Sequence, residues 1–176
     1  MSPQLPWFIA RAAGIVAWLL LTGSVVWGVV LATKAFPAHR RPAWLLDLHR
    51  WLGGLTVAFL AVHLGALMAD DYVSFGLADL LVPGAASWHR GAVALGVVAL
   101  WLLVVVQLTS VFMRRLPRRA WRAVHLTSYA AFWLTSLHAS FAGSDATNRL
   151  YQVTSIVAIV AVVLSLIHIS EPTRPY

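Results

Sequence analysis

The stretch WLLDLHRWLGGLTVAFLAVHLGALM, residues 44–68, decides how the chain is read. Of its 25 residues only Asp47 and Arg50 are charged, and both lie near its start. As a helix it would be about 37 Å long, at about 1.5 Å per residue. That is enough to cross a hydrocarbon core of about 30 Å. Two histidines, His49 and His63, sit inside it, 14 residues apart. An ionisable side chain within such a segment is costly and is a functional candidate by default.

Four more apolar blocks flank this one. The first runs from Trp7 to Thr33, the third from Trp88 to Met113 and the fourth from Trp121 to Ala142, while the fifth begins near Leu150. Over all 176 residues 60% are hydrophobic, 11% are charged and mean hydropathy is +0.78. A soluble domain carries about 25% charged residues, so the surrounding solvent here is the bilayer. The expected fold is all-α, a polytopic membrane bundle of about five transmembrane helices. Trp7, Trp44, Trp88 and Trp121 stand at block edges, as interfacial aromatics do. The N-terminus lacks the charged start and small-residue cleavage site of a signal peptide, so the first block reads as a retained helix. No internal repeat is visible in the sequence.

The net charge of +7 does not imply nucleic acid. The basic residues gather in two short loops, which is a topology signal. Lys34, Arg40 and Arg41 occupy the first loop, with Arg50 just beyond; Arg114, Arg115, Arg118, Arg119 and Arg122 fill the third. The second loop carries Asp70, Asp71 and Asp79, with Arg90 at its far end, and the fourth carries Asp145 and Arg149. The positive-inside rule places the first and third loops in the cytoplasm and the N-terminus outside. The second and fourth blocks then run in the same direction, from inside to outside. Cysteine is absent, which excludes disulfides, thiolate metal sites, iron–sulfur clusters and covalent c-type haem attachment.

The fourth block also carries two histidines, His125 and His138. His49 and His125 lie five and four residues from the inner ends of their blocks, at Trp44 and Trp121. His63 and His138 lie five and four residues before the outer ends, at Met68 and Ala142. Each helix therefore offers one imidazole at each of two depths, and the depths match because the helices are parallel. Neutral imidazole is a standard haem ligand. Two haems held between the pairs would be separated by 14 residues on one helix and 13 on the other, or about 20 Å. Fourteen residues return nearly to the same helix face, whereas 13 miss it by about 140° on an ideal helix. The fourth block therefore needs a π-bulge, a kink or a different angle of approach.

Gly14, Gly23 and Gly28 in the first block, with Gly53, Gly54 and Gly65 in the second, would admit either a flat macrocycle or close helix packing. Arg50 and Arg122 are candidate propionate partners at the inner level, and Arg11 or Arg90 at the outer one. His39, in a basic loop, and His89, beside Trp88, read as solvated and interfacial.

This pattern resembles the ferric-reductase-like transmembrane domain superfamily. That group includes NADPH oxidases, yeast-type ferric reductases and the haem subunit of the bacterial methionine sulfoxide reductase system. The resemblance lies in His49-x13-His63 and His125-x12-His138 on two parallel helices. Support comes from Leu77-Ala-Asp-Leu-Leu-Val-Pro83 and the Arg-rich run from Met113 to Trp121. It covers roughly residues 7–163. It implies axial haem ligation by His49 with His125 and by His63 with His138, and it implies a bacterial plasma-membrane location. Electrons would pass from a cytoplasmic reductase or quinol to an acceptor outside, and a soluble redox partner could take part. No Gly-rich dinucleotide motif or flavin segment is present in the sequence. FAD and NADPH would therefore act through a partner or a further domain.

Two alternatives accompany this reading: the haem subunit of a methionine sulfoxide reductase system, and a haem-free scaffold or transporter subunit whose histidines bind a metal or relay protons. The run from Leu164 to Arg174 resembles the translation of a sequencing adapter, so residues 164–176 are expected to be foreign and His168 is set aside as a ligand.

Overall fold

A computed structural model of the protein describes residues 4–32, 42–71, 73–143 and 147–170. Lys34, His39, Arg40, Arg41 and Asp145 lie outside the described residues, as does the side chain of His168. Every described element is helical: α1 (Leu5–Ala32), α2 (Trp44–Met68), α3 (Leu77–Leu81), α4 (Arg90–Val111), a 3-10 turn (Met113–Arg115), α5 (Arg118–Leu126), α6 (Ser128–Ala142) and α7 (Arg149–Ser170). Pro6 sits in the first turn of α1, where a missing N–H breaks no helical bond. Among the described residues α1, α2 and α4 are each long and apolar enough to cross a membrane. The protein is thus an all-α membrane bundle. The fourth apolar block is divided between α5 and α6, and α7 carries a shorter apolar stretch, Gln152–Leu164.

The division falls at Thr127. Its amide donates to the carbonyl of Val124 at 3.0 Å, an i to i−3 bond, and its hydroxyl donates to the same carbonyl at 2.7 Å. An i to i−3 turn winds at about 120° per residue instead of 100°. The break between His125 and His138 therefore adds rotation in the sense that a 13-residue step needs.

Two hairpin-like pairs make the bundle. α1 packs along α2 and α4 along α6, while α7 rests on α1. Leu21, Val25, Leu103, Ala131, Phe132 and Val162 form one buried cluster where these helices meet. Lipid tails are as apolar as leucine, so this contact is held by close packing and interhelical hydrogen bonds rather than by escape from water. One such bond is buried: the indole N–H of Trp18 on α1 donates to Ser136 Oγ on α6 at 2.9 Å. Trp18→Phe should cost about 1 kcal/mol, the scale of interhelical hydrogen bonds in lipid. Thermal unfolding in detergent measures this as a lowered midpoint with unchanged helix content.

The loop after α2 is more ordered than a charged connection would be. Phe75, Leu80 and Ala86 from the loop and α3 pack on Val93 and Val97 of α4, flanked by Trp88. The amide of Gly76 donates to Asp79 Oδ2 at 2.9 Å, which starts α3. Trp101 on α4 ties down its other end by donating to the carbonyl of Leu81 at 2.9 Å. Asp70 is buried at 3% exposure and accepts from the amide of Val73 at 3.3 Å. This segment covers one end of the bundle.

Candidate functional site

His49 and His63 project from α2, His125 from the last turn of α5 and His138 from α6. The rings of His49 and His125 lie 5.9 Å apart between centroids, with their planes at 71°. His63 and His138 line one cavity at the other end of the bundle. The four histidines are therefore brought together as two pairs at two levels. The levels are called lower (His49, His125) and upper (His63, His138) below.

Each ring has one nitrogen engaged by a neighbouring helix. His63 Nδ1–H donates to the carbonyl of Ala10 at 2.7 Å, and His138 Nδ1–H to the carbonyl of Ala92 at 2.8 Å. His49 Nδ1–H donates to the carbonyl of Ser24 at 3.1 Å, with the Ser24 hydroxyl at 3.3 Å. His125 Nδ1 faces Ser110 Oγ at 3.4 Å. A partner on Nδ1 fixes the tautomer and leaves Nε2 unprotonated, which is how metal-binding histidines are usually oriented.

The carbonyls come with small residues one turn further on. A Cβ added at Gly14 would lie 3.0 Å from His63 Nδ1, and one at Gly28 would lie 3.2 Å from His49 Cε1. A Cβ at Gly96 would lie 2.7 Å from His138 Nδ1, closer than real Cβ atoms come. These three rings thus bring their Nδ1–Cε1 edge close to a glycine of the neighbouring helix. The pattern repeats: Ala10 with Gly14 and Ser24 with Gly28 on α1 correspond to Ala92 with Gly96 and Val106 with Ser110 on α4. The two pairs on each helix are 14 residues apart. The repeat shows in these contacts, although the sequence carries no visible duplication.

Of the glycines singled out from the sequence, Gly14 and Gly28 meet histidine rings. Gly23 meets only Leu52, Gly53 lies near Gln107, and Gly54 and Gly65 face open space. Gly96 escaped the sequence reading. Its signal was present, since Gly96 and Ser110 repeat the 14-residue step of Gly14 and Gly28.

The upper cavity has a volume of about 190 Å³, and its walls include Trp18, Leu60, Val97 and Leu100. Binding sites for small molecules and cofactors are usually apolar hollows with few polar groups. Arg11, Trp7 and Trp88 also line it, so one cation stands beside an otherwise oily chamber. At the lower level Trp121 stacks on His125, with centroids 5.0 Å apart and planes 23° from parallel. Arg122 lines a surface hollow with Arg114, Arg118 and Trp121. Arg50 is exposed and paired with Asp47 at 3.2 Å. Arg90 donates to the carbonyl of Gly84 at 2.7 Å and is part of the loop cover. His89 lies outside both pairs, in a left-handed conformation (φ 40°) before α4, against Trp88.

The histidines occur in twos: among the described residues no group of three or more His, Cys, Asp or Glu could hold a metal ion. Two imidazoles suit an iron whose other ligands come from a macrocycle. With nitrogen–metal bonds of about 2 Å, imidazoles on opposite sides of one metal have ring centres about 6 Å apart. The lower pair has that spacing.

Against this geometry, the profile of the family described as ferric reductase like transmembrane component matches residues 13–136. The chain belongs to that family. Domains of the ferric-reductase-like family are transmembrane oxidoreductase components and generally bind haem. The matched span takes in His49, His63 and His125 and ends two residues before His138. His138 enters the site through its place in the upper cavity. Comparison with curated proteins and with solved structures found no match.

Proposed function

We propose that this ferric-reductase-like chain carries single electrons across the membrane through two b-type haems. One would be held by His49 and His125, the other by His63 and His138. The observation that carries the reading is the set of four imidazoles in two pairs, each ring with Nδ1 facing a neighbouring helix and Nε2 left for a metal. Bound there, haem iron would supply reversible one-electron chemistry. The chain's own contributions are orientation, exclusion of water and charge. Gly14, Gly28 and Gly96 let three rings approach the neighbouring helix closely enough to reach its carbonyls. Leu21 on α1 and Leu103 on α4 lie in sequence between the residues that meet the two levels and belong to one buried apolar cluster. This apolar cluster offers no side chains for a proton relay and so favours electron transfer over a haem-free transporter.

The arginine-rich loop puts the lower level at the cytoplasmic face by the positive-inside rule. A cytoplasmic reductase or quinol would deliver electrons there. A ferric chelate or a soluble redox partner would take them at the upper level. Arg11 is the propionate partner proposed at the upper level and Arg122 at the lower. Arg50, exposed and already paired with Asp47, is the weaker of the two candidates at the lower level.

Proteoliposomes loaded with dithionite and given external ferricyanide test this function. Haem-loaded protein should reduce the external acceptor, and His63→Ala should abolish the flow. Equal reduction by the variant would overturn the reading.

A further inference from the structure

Three of the four histidines donate to a main-chain carbonyl, and the fourth does not. At the position equivalent to Gly14, Gly28 and Gly96 stands Ser110, and at the position equivalent to Ala10, Ser24 and Ala92 stands Val106. The Ser110 hydroxyl donates to the carbonyl of Val106 at 2.7 Å. That carbonyl is the one His125 would use by analogy with the other three. The hydroxyl's proton is thus committed, and it can only accept from His125 Nδ1–H, at 3.4 Å. That distance is long beside the 2.7–3.1 Å of the other three rings and lies beyond the usual range for N–H···O bonds. His125 is steadied instead by the stacked indole of Trp121, one turn back on α5.

The partner on the second nitrogen controls how basic a metal-bound imidazole is, and hence the potential of the metal. We infer that Ser110 is a positioning residue that sets the lower haem's potential by interposing a hydroxyl between His125 and the Val106 carbonyl. The inference rests on the haem reading above. It makes the lower centre unequal on its two faces, with one imidazole held by a carbonyl and the other by a weak acceptor. The upper centre has two carbonyl-held imidazoles. The chain can thereby hold its two centres at different potentials without changing any ligand.

Redox titration of the b-type absorbance of the full chain, with electron paramagnetic resonance of the oxidised form, provides the test. The lower midpoint is assigned as the one that persists in His63→Ala protein. Ser110→Ala removes the acceptor and should raise the lower midpoint and shift that centre's resonance signal. Ser110→Thr keeps the hydroxyl and should restore the native midpoint. Ser110→Gly clears the way to Val106 and should lower it. In all three the upper midpoint should stay where it is, which also shows that the fold is intact. A lower midpoint unmoved by Ser110→Ala, or moved as far by Ser110→Thr, would overturn the inference while leaving the two-haem reading standing. Wild-type protein that binds no haem would overturn both.

Discussion

Replacing His63 by Ala should cut the b-type haem of the purified protein to half and end electron flow through it. The ring is one wall of the upper cavity, and its Nδ1 is fixed on the Ala10 carbonyl at 2.7 Å. Alanine leaves only His138 at that level, and a single imidazole holds b-type haem weakly. The lower pair is about 20 Å away along α2, at about 1.5 Å per residue, and shares no ligand with the upper one. The haem that remains should keep the low-spin spectrum of two imidazoles. His138→Ala should give the same result, and His49→Ala should spare the upper haem instead. A haem assay per chain, with the optical spectrum, checks all three. Equal haem content in His63→Ala and wild type would break the pairing.

The second large effect comes from a residue that ligates nothing. Gly96→Ala places a methyl group 2.7 Å from His138 Nδ1 and 2.9 Å from Cε1. The ring cannot back away without leaving the Ala92 carbonyl, to which it donates at 2.8 Å. The upper haem should be lost as fully as in His138→Ala. Alanine is the better helix former by roughly 1 kcal/mol, so the backbone effect alone has the opposite sign. Gly65→Ala is the matched control: its Cβ would meet nothing within 4 Å, and haem content should not change. Loss of haem in both variants, or in neither, would contradict the role given to Gly96.

Which parts of this site could be read from sequence follows from what sets each. The depths of the four histidines are fixed by distance from block ends, and direction by loop charge. Both are one-dimensional, so the two levels could be placed from residue counts. The glycine cradles depend on which face of α1 meets α2 and which face of α4 meets α6. In a soluble helix an amphipathic stripe would show that face. Here Leu21 in the core and Leu19 at the lipid side are the same residue type, buried at 5% and exposed at 46%. Lipid and protein neighbours ask for the same side chains, so the phase of α1 and α4 was hidden and Gly96 and Ser110 went unseen.

The break at Thr127 has neither Pro nor Gly to announce it. Only the 13-residue spacing required it. The packed loop around Phe75 and Leu80 was masked by Asp70, Asp71 and Asp79, whose charges mark a loop between apolar blocks and do not show that Asp70 is buried. The lower pair's Ser110 exception could be recognised only after three equivalents were on view together.

The most direct measurement is the haem-to-protein ratio of the purified full chain, taken with its reduced-minus-oxidised spectrum. Two b-type haems per chain, both six-coordinate and low-spin, is the result expected from four imidazoles in two pairs. A chain with no haem, or with one haem that survives both His63→Ala and His49→Ala, would contradict it.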